Sequence, residues 1–296
     1  MILSPIEQSI KRKIEAVGTP LKDWDINIYR GVLTGYNEAF IISTERRNEI
    51  LANCQTEDER RRTDELIRPI LRGRDIKRYG YEWAELYLIA TFPARHYDIN
   101  QYPAVKQYLL SFAYEYLLQN GNAWVANNHL EEFCKQKLTQ DGQYVVINGK
   151  HVIDDRGNKE KGRKKTSNKW FETQDSISYW EDFSKPKIVY NDIAQRLSFA
   201  LCENGEYLNN TVYFMASHDR SMLHYLLRIL NSELIDWYYR TISVQLGEKA
   251  VRMFSIYVLR IPVPKGIIKL DDEKAVCLLY GLSPDEQAFI LHQQNR

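Results

Sequence analysis

Apolar positions follow a helical spacing at both ends of the chain and a strand-like spacing through much of its middle. Ile6, Ile10 and Ile14 fall on one face, Ser4 can cap and Pro5 occupies the first helical position, so residues 5–16 are predicted to be helical. "GTPLKDW" then breaks the helix. The stretch "INIYRGVLTGYNEAFII", residues 26–42, reads as a hairpin: Ile26–Ile28 and Val32–Leu33 on one side, Ala39–Ile42 on the other. Its turn is Thr34-Gly35-Tyr36-Asn37, with Arg30-Gly31 just upstream. Gly35 supplies permissive backbone, and Asn37 can bond locally or to a ligand.

Residues 57–71 read as a charged helix leading into "LIRPILRGRDIKRYG", and "LYLIATF" (86–92) as an apolar strand. Pro103 starts a helix over 101–119, lined by Val105, Tyr108, Leu109, Phe112, Tyr116 and Leu117. "YVVINGKHVI" (144–153) is a hairpin whose Asn148-Gly149 suits a type I′ turn. "KPKIVYNDI", "LSFAL" and "TVYFMAS" supply further strands between 185 and 217. Asp219 opens a long amphipathic helix through Leu223, Leu226, Leu227, Leu230, Leu234 and Trp237. "YVLRIPVP" (257–264) reads as a last strand, and Ser283, Pro284 and Glu286 as a capping box on a closing helix. Helices and strands alternate without a regular βαβ rhythm, which points to α+β with mixed or antiparallel sheets and flanking helices.

Composition narrows the function more than the fold. Lys and Arg (40) nearly cancel Asp and Glu (39), so any nucleic-acid contact must concentrate its positive charge locally. The four cysteines at 54, 134, 202 and 277 form no C-x-x-C pair and read as thiols in a reducing compartment. The N-terminus lacks a signal-like apolar core, and no apolar run approaches the ~20 residues of a membrane span. A soluble, cytoplasmic protein is the expectation.

Catalytic patterns are mostly missing. The chain has no G-x-G, no H-x-x-x-H, no G-x-S-x-G and no Pro-Pro, which excludes the usual nucleotide loops, helical zinc pairs, the serine elbow and the amino-methylating motif. In "GNKEKGRKKTS" (157–167) Arg163 stands where a phosphate-binding loop needs Lys. One alternative stays open. Asp175, Glu181 and Asp182, with Lys185 or Lys187, could form the metal site of a nuclease or other hydrolase.

Local basicity stands out instead. "RGRDIKRYGYEW" (72–83) sets Arg72, Arg74, Lys77 and Arg78 among Tyr79, Tyr81 and Trp83. The polar loop 154–169 adds Arg156, Lys159, Lys161, Arg163, Lys164, Lys165 and Lys169. Such clusters neutralise phosphates, while Arg, Asn and Gln can read base edges.

The order of these blocks carries a resemblance. "SPIEQSIKRKIEAVGTPLKDWDINIYRGVLTGYNEAFII", "LIRPILRGRDIKRYGYEWAELYLIATF", "WFETQDSISYWEDFSKPKIVYNDIA", "YLLRILNSELIDWYY" and "YVLRIPVP" follow one another. Together they resemble the TaqI-like target-recognition domain at the C-terminus of type IIG restriction–modification enzymes and related adenine-specific DNA methyltransferases. "LRIPVP" is also similar to specificity subunits of type I systems. The resemblance implies a double-stranded DNA partner and an upstream methyltransferase domain or partner subunit that flips and methylates adenine. S-adenosylmethionine, and Mg²⁺ for a nuclease part, would serve that parent; no cofactor is expected for this stretch, which would be catalytically silent alone.

The expected organisation is a linker helix (1–23), a DNA target-recognition domain (24–266) and a helical tail (267–296). Expected phosphate contacts are Arg72, Arg74, Lys77, Arg78, Lys164, Lys165, Lys249 and Arg252. Base-reading candidates are Arg30, Asn37, Arg163 and Gln245, the last in a loop after the long helix. Gly31, Thr34 and Gly35 would form the turn scaffold.

Overall fold

A computed structural model describes residues 3–110, 146–147, 150–151, 168–169, 171–247 and 249–292. The chain divides into two compact units: Met1–Gly31, Leu71–Ala84 and Trp180–Arg296 in the first, Val32–Ile70 and Glu85–Tyr179 in the second.

The first unit is built on an antiparallel sheet ordered Phe199–Cys202, Lys187–Asn191, Val212–Ala216 and Ile28–Arg30. Ile188, Val189 and Tyr190 are all buried, as a central strand covered on both faces requires. Register sets Tyr190 opposite Phe199 on one side and Tyr213 on the other, with ring centroids 5.1 and 5.6 Å away. The helix Arg220–Leu230, capped by Asp219 accepting from the Met222 amide at 2.9 Å, buries Leu223, Leu226, Leu227 and Leu230 in this core. The opening helix Pro5–Val17 adds Ile10 and Ile14. The closing helices Glu273–Leu279 and Pro284–His292 add Val276, Cys277 and Ile290 to the same cluster. The expected capping box forms, the Ser283 amide donating to Glu286 at 2.7 Å, and a second one holds the opening helix, where the Ser4 amide donates to Glu7 at 2.7 Å.

Two expectations fail here. The single helix through Trp237 is instead two, because Ser232 takes an amide that a continuous helix would claim and the Asn231 side chain is bound to the Phe199 backbone. The Asn231 side chain accepts from the Phe199 amide (2.9 Å) and donates to its carbonyl (2.8 Å). Ser232 then caps Glu233–Ile242 by accepting from the Ile235 amide. The stretch 257–264 is not one strand. It ends the short helix Ser255–Val258 and leaves only Pro262–Val263 paired, antiparallel, with Thr19–Pro20. Prolines on both strands lack the amide that would extend the ladder.

In the second unit Ile67, Arg68 and Pro69 pair with Leu86–Ile89, which pairs in turn with Ile41–Ser43, all antiparallel, with helices Thr44–Ala52, Glu57–Leu66 and Pro103–Leu110. The charged helix stops at Leu66, short of the expected 71, since Pro69 biases the residue before it toward extended backbone. The hairpin expected over 26–42 does not form. Ile28–Arg30 pairs with Val212–Ala216, Ile41–Ser43 pairs with Leu86–Ile89, and Asn37–Phe40 is helical. Distant partners bury more: Tyr29 packs on Phe214 at 5.5 Å, and Ile42 and Leu88 are buried. Of the helix expected over 101–119, residues 111–119 lie outside the described residues. So does the Asn148-Gly149 turn, although its strands Val146–Ile147 and Lys150–His151 pair. Helices with antiparallel sheets make the fold α+β. Among the described residues no helix is long and apolar enough to cross a membrane.

Candidate nucleic-acid interface

Residues 71–84 cross the first unit as a 3₁₀ turn, Gly73–Asp75, and a small hairpin, Ile76–Lys77 with Gly80–Tyr81. Asp75, 5% exposed, fixes its entry. Its carboxylate accepts from the Arg72 amide (2.8 Å), Arg72 Nε (3.0 Å) and Arg72 Nη2 (2.8 Å). That fork is a charge-assisted, bidentate pair. Arg78 is also engaged, donating to the Asn231 carbonyl and standing 3.1 Å from Glu233. Arg74 and Lys77 remain exposed; the Lys77 ammonium reaches only the Arg74 carbonyl (3.2 Å) and lies 4.0 Å from Glu82.

The last strand residue turns inward. Tyr81 donates to Glu206 (2.8 Å), the Cys202 thiol donates to the other carboxylate oxygen (3.0 Å), and Asn204 donates to the Tyr81 phenol (3.1 Å). Burial by itself would raise the Glu206 pKa, but the thiol and phenol donors outweigh it and hold the carboxyl below its usual range. Burial pushes the Cys202 thiol up to about 12 and holds the wholly buried Lys187 ammonium, bonded to the Phe183 carbonyl at 2.7 Å, below the usual lysine range. This network is a frame under the hairpin.

Other anticipated residues are dispersed. Arg30 ends an edge strand, with Nε on the Asn210 carbonyl (2.7 Å) and its guanidinium 6.0 Å from the Tyr213 ring. Gln245 lies in a strand, not a loop: Gln245–Leu246 pairs with Ala250–Arg252, and Gln245 and Lys249 are exposed on that ribbon. Arg252 sits over Phe254 at 5.5 Å. Thr34 is buried and donates to Asn37 (2.7 Å), while Gly35 has φ +80°, a conformation that strains other residues. At Gly31 a Cβ would meet the Asn209 carbonyl oxygen at 2.1 Å, so only glycine fits. Arg163, Lys164 and Lys165 lie outside the described residues. Arg196 and Arg228 gather beside Arg78: Arg196 pairs with Glu233 and Arg228 donates to the Tyr79 phenol at 3.0 Å. No spacing rule links positions 196 and 228 to the expected Arg78, so the sequence does not point to Arg196 and Arg228.

Of the three acidic residues considered for a metal, Asp175 and Asp182 are employed otherwise, and Glu181 is exposed. Asp182 pairs with Lys185 at 2.5 Å, and Asp175, in the second unit, accepts from the Leu33 amide at 3.3 Å. Among the described residues no group of three or more His, Cys, Asp or Glu could hold a metal ion. Cys54, Cys202 and Cys277 are free thiols; Cys134 lies outside the described residues.

A family model described as the TaqI-like C-terminal specificity domain matches residues 68–263. No curated protein matches the sequence. Among solved structures, the chain is similar to the type IIG restriction endonuclease BpuSI at 10% identity and a TM-score of 0.48, covering 94% of this chain and 28% of that one. It is also similar to the type IIL restriction–modification enzyme MmeI in complex with DNA, at 9% identity and a TM-score of 0.40, covering 94% and 29%. The chain thus spans under a third of the solved chains it matches.

Proposed function

This chain belongs to the family of TaqI-like C-terminal specificity domains, and from that premise we propose that it selects the double-stranded DNA site on which a restriction–modification enzyme acts. The family match over residues 68–263 carries the reading, and it includes the basic hairpin and the Gln245–Arg252 ribbon. Arg74, Lys77, Lys249 and Arg252 are assigned to phosphates, joined by Lys164 and Lys165. Arg72 and Arg78, both held by carboxylates, are assigned to fixing the hairpin that presents Arg74 and Lys77. Arg30, Asn37, Arg163 and Gln245 are the base-edge candidates. Methyl transfer to adenine from S-adenosylmethionine, and any Mg²⁺-dependent cleavage, belong to an upstream domain of the same polypeptide or to a partner subunit. The recognition portion is assigned to 24–266, and the setting to the cytoplasm.

Fluorescence anisotropy with labelled duplex is the test. The chain should bind duplex with an affinity that falls steeply as salt rises, since each phosphate neutralised adds about 0.9 to the log–log slope. It should leave plasmid uncut in Mg²⁺ or Mn²⁺. No duplex binding at low salt, or a salt-independent signal, overturns the proposal.

A further inference from the structure

The register of the Ile76–Tyr81 hairpin pairs Lys77 with Gly80, leaving Arg78 and Tyr79 as a two-residue turn. Tyr79, the second turn residue, has φ +70°. Tight turns place glycine or asparagine in such a position, because a Cβ strains it. Here the glycine arrives one residue late, and Gly80 enters the strand with open space around it. Backbone contacts enforce the arrangement: the Tyr79 amide donates to the Phe199 carbonyl at 2.8 Å and the residue bridges in parallel to Ala200.

A bulky residue held in a strained conformation, with its ring at the surface, marks a site of use more than a turn. Tyr79 is 40% exposed as a residue. It is also steered: Arg228 donates to its phenol at 3.0 Å, and the Arg78 and Arg228 guanidinium groups lie 5.4 and 5.9 Å from its centroid. Exposed Lys77 leads directly into the turn, and exposed Arg74, in the 3₁₀ turn just before the hairpin, is tied to it through the Lys77 bond to its carbonyl at 3.2 Å. An aromatic face among outward cations suits a polyanion whose sugars and bases are apolar, which is the chemistry of a nucleic-acid duplex.

We infer that Tyr79 is a direct DNA contact, its ring packing on a sugar or base of the duplex while Arg74 and Lys77 take the adjoining phosphates. The inference deepens the DNA-recognition reading and rests on it. Tyr79→Gly separates it from a structural role, since glycine relaxes the turn while removing the ring and its bond to Arg228. Those effects oppose, so the melting temperature should move by less than about 4 °C. Duplex affinity should fall roughly five- to hundredfold, the range for losing one aromatic contact to nucleic acid. Tyr79→Asn, which also tolerates the turn, should show the same loss, and Tyr79→Phe should keep most of the affinity. If the wild-type chain binds duplex and both Tyr79→Gly and Tyr79→Asn bind equally well, the inference is overturned while the DNA-recognition reading stands. A wild-type chain that binds no duplex overturns both.

Discussion

Arg72 and Arg74 stand two residues apart, yet one forks onto a buried Asp75 and the other projects into solvent. Tyr81 and Tyr79 divide the same way: one phenol closes a buried network with Glu206 and Cys202, while the other residue is 40% exposed. Position relative to the 3₁₀ turn and the strand pleat decides which group braces the hairpin and which is offered outward. A basic, aromatic segment therefore holds two populations, and counting its charges overstates what a ligand meets.

The contrast is broken most severely at the buried pair. Arg72→Ala strands the Asp75 carboxylate and should cost about 3 kcal/mol in urea unfolding, the scale of an uncompensated buried charge. A loss below ~1 kcal/mol would move Arg72 to the outward group.

A buried carboxylate elsewhere in the first unit sets the same rule in terms of pH. Burial acts to raise the Glu286 pKa, but bonds from Lys13 (2.6 Å), the Ser283 amide (2.7 Å) and Ser9 (2.7 Å) outweigh it and bring it down to about 2. The stabilisation is present above the unfolded carboxyl range near pH 4.3 and is lost as pH falls toward 2, amounting to roughly 2–3 kcal/mol. Lys13→Ala should flatten that part of the stability–pH curve; an unchanged curve would show that the pair contributes little.

Tyr81→Phe removes one donor to Glu206 and should cost about 1.5 kcal/mol with little change in the salt dependence of duplex binding. Lys77→Ala lies at the other extreme. It should leave stability within ~0.5 kcal/mol and lower the salt slope by about 0.9. Equal behaviour of these two variants in both measurements would erase the distinction between the faces.

Much of the fold was legible in advance because it is written locally. Ser4 with Pro5, and Ser283 with Glu286, announce helix starts, and the runs at 187–191, 199–202 and 212–216 announce strands. Partner choice is not local. Nothing within 26–42 says that Ile28–Arg30 joins Val212–Ala216, because its partner, with Tyr29 packed on Phe214, lies about 180 residues further along the chain. The end of the helix at Leu230 depends on Asn231 meeting Phe199, more than thirty residues back in the chain. Family membership was legible in the order of the blocks. The basic hairpin was legible as a cluster, but its engaged and outward residues were not, since Glu233 and Asn231 lie far away in sequence.

The close approach of the Asn209 carbonyl to Gly31 has a practical consequence for recombination among such chains. It marks a suture that admits one residue type. A chimera joined upstream of position 31 must bring its own glycine, or the rim strand will be pried from its neighbour; one joined downstream inherits the fit but still needs a residue that accepts φ +80° at position 35.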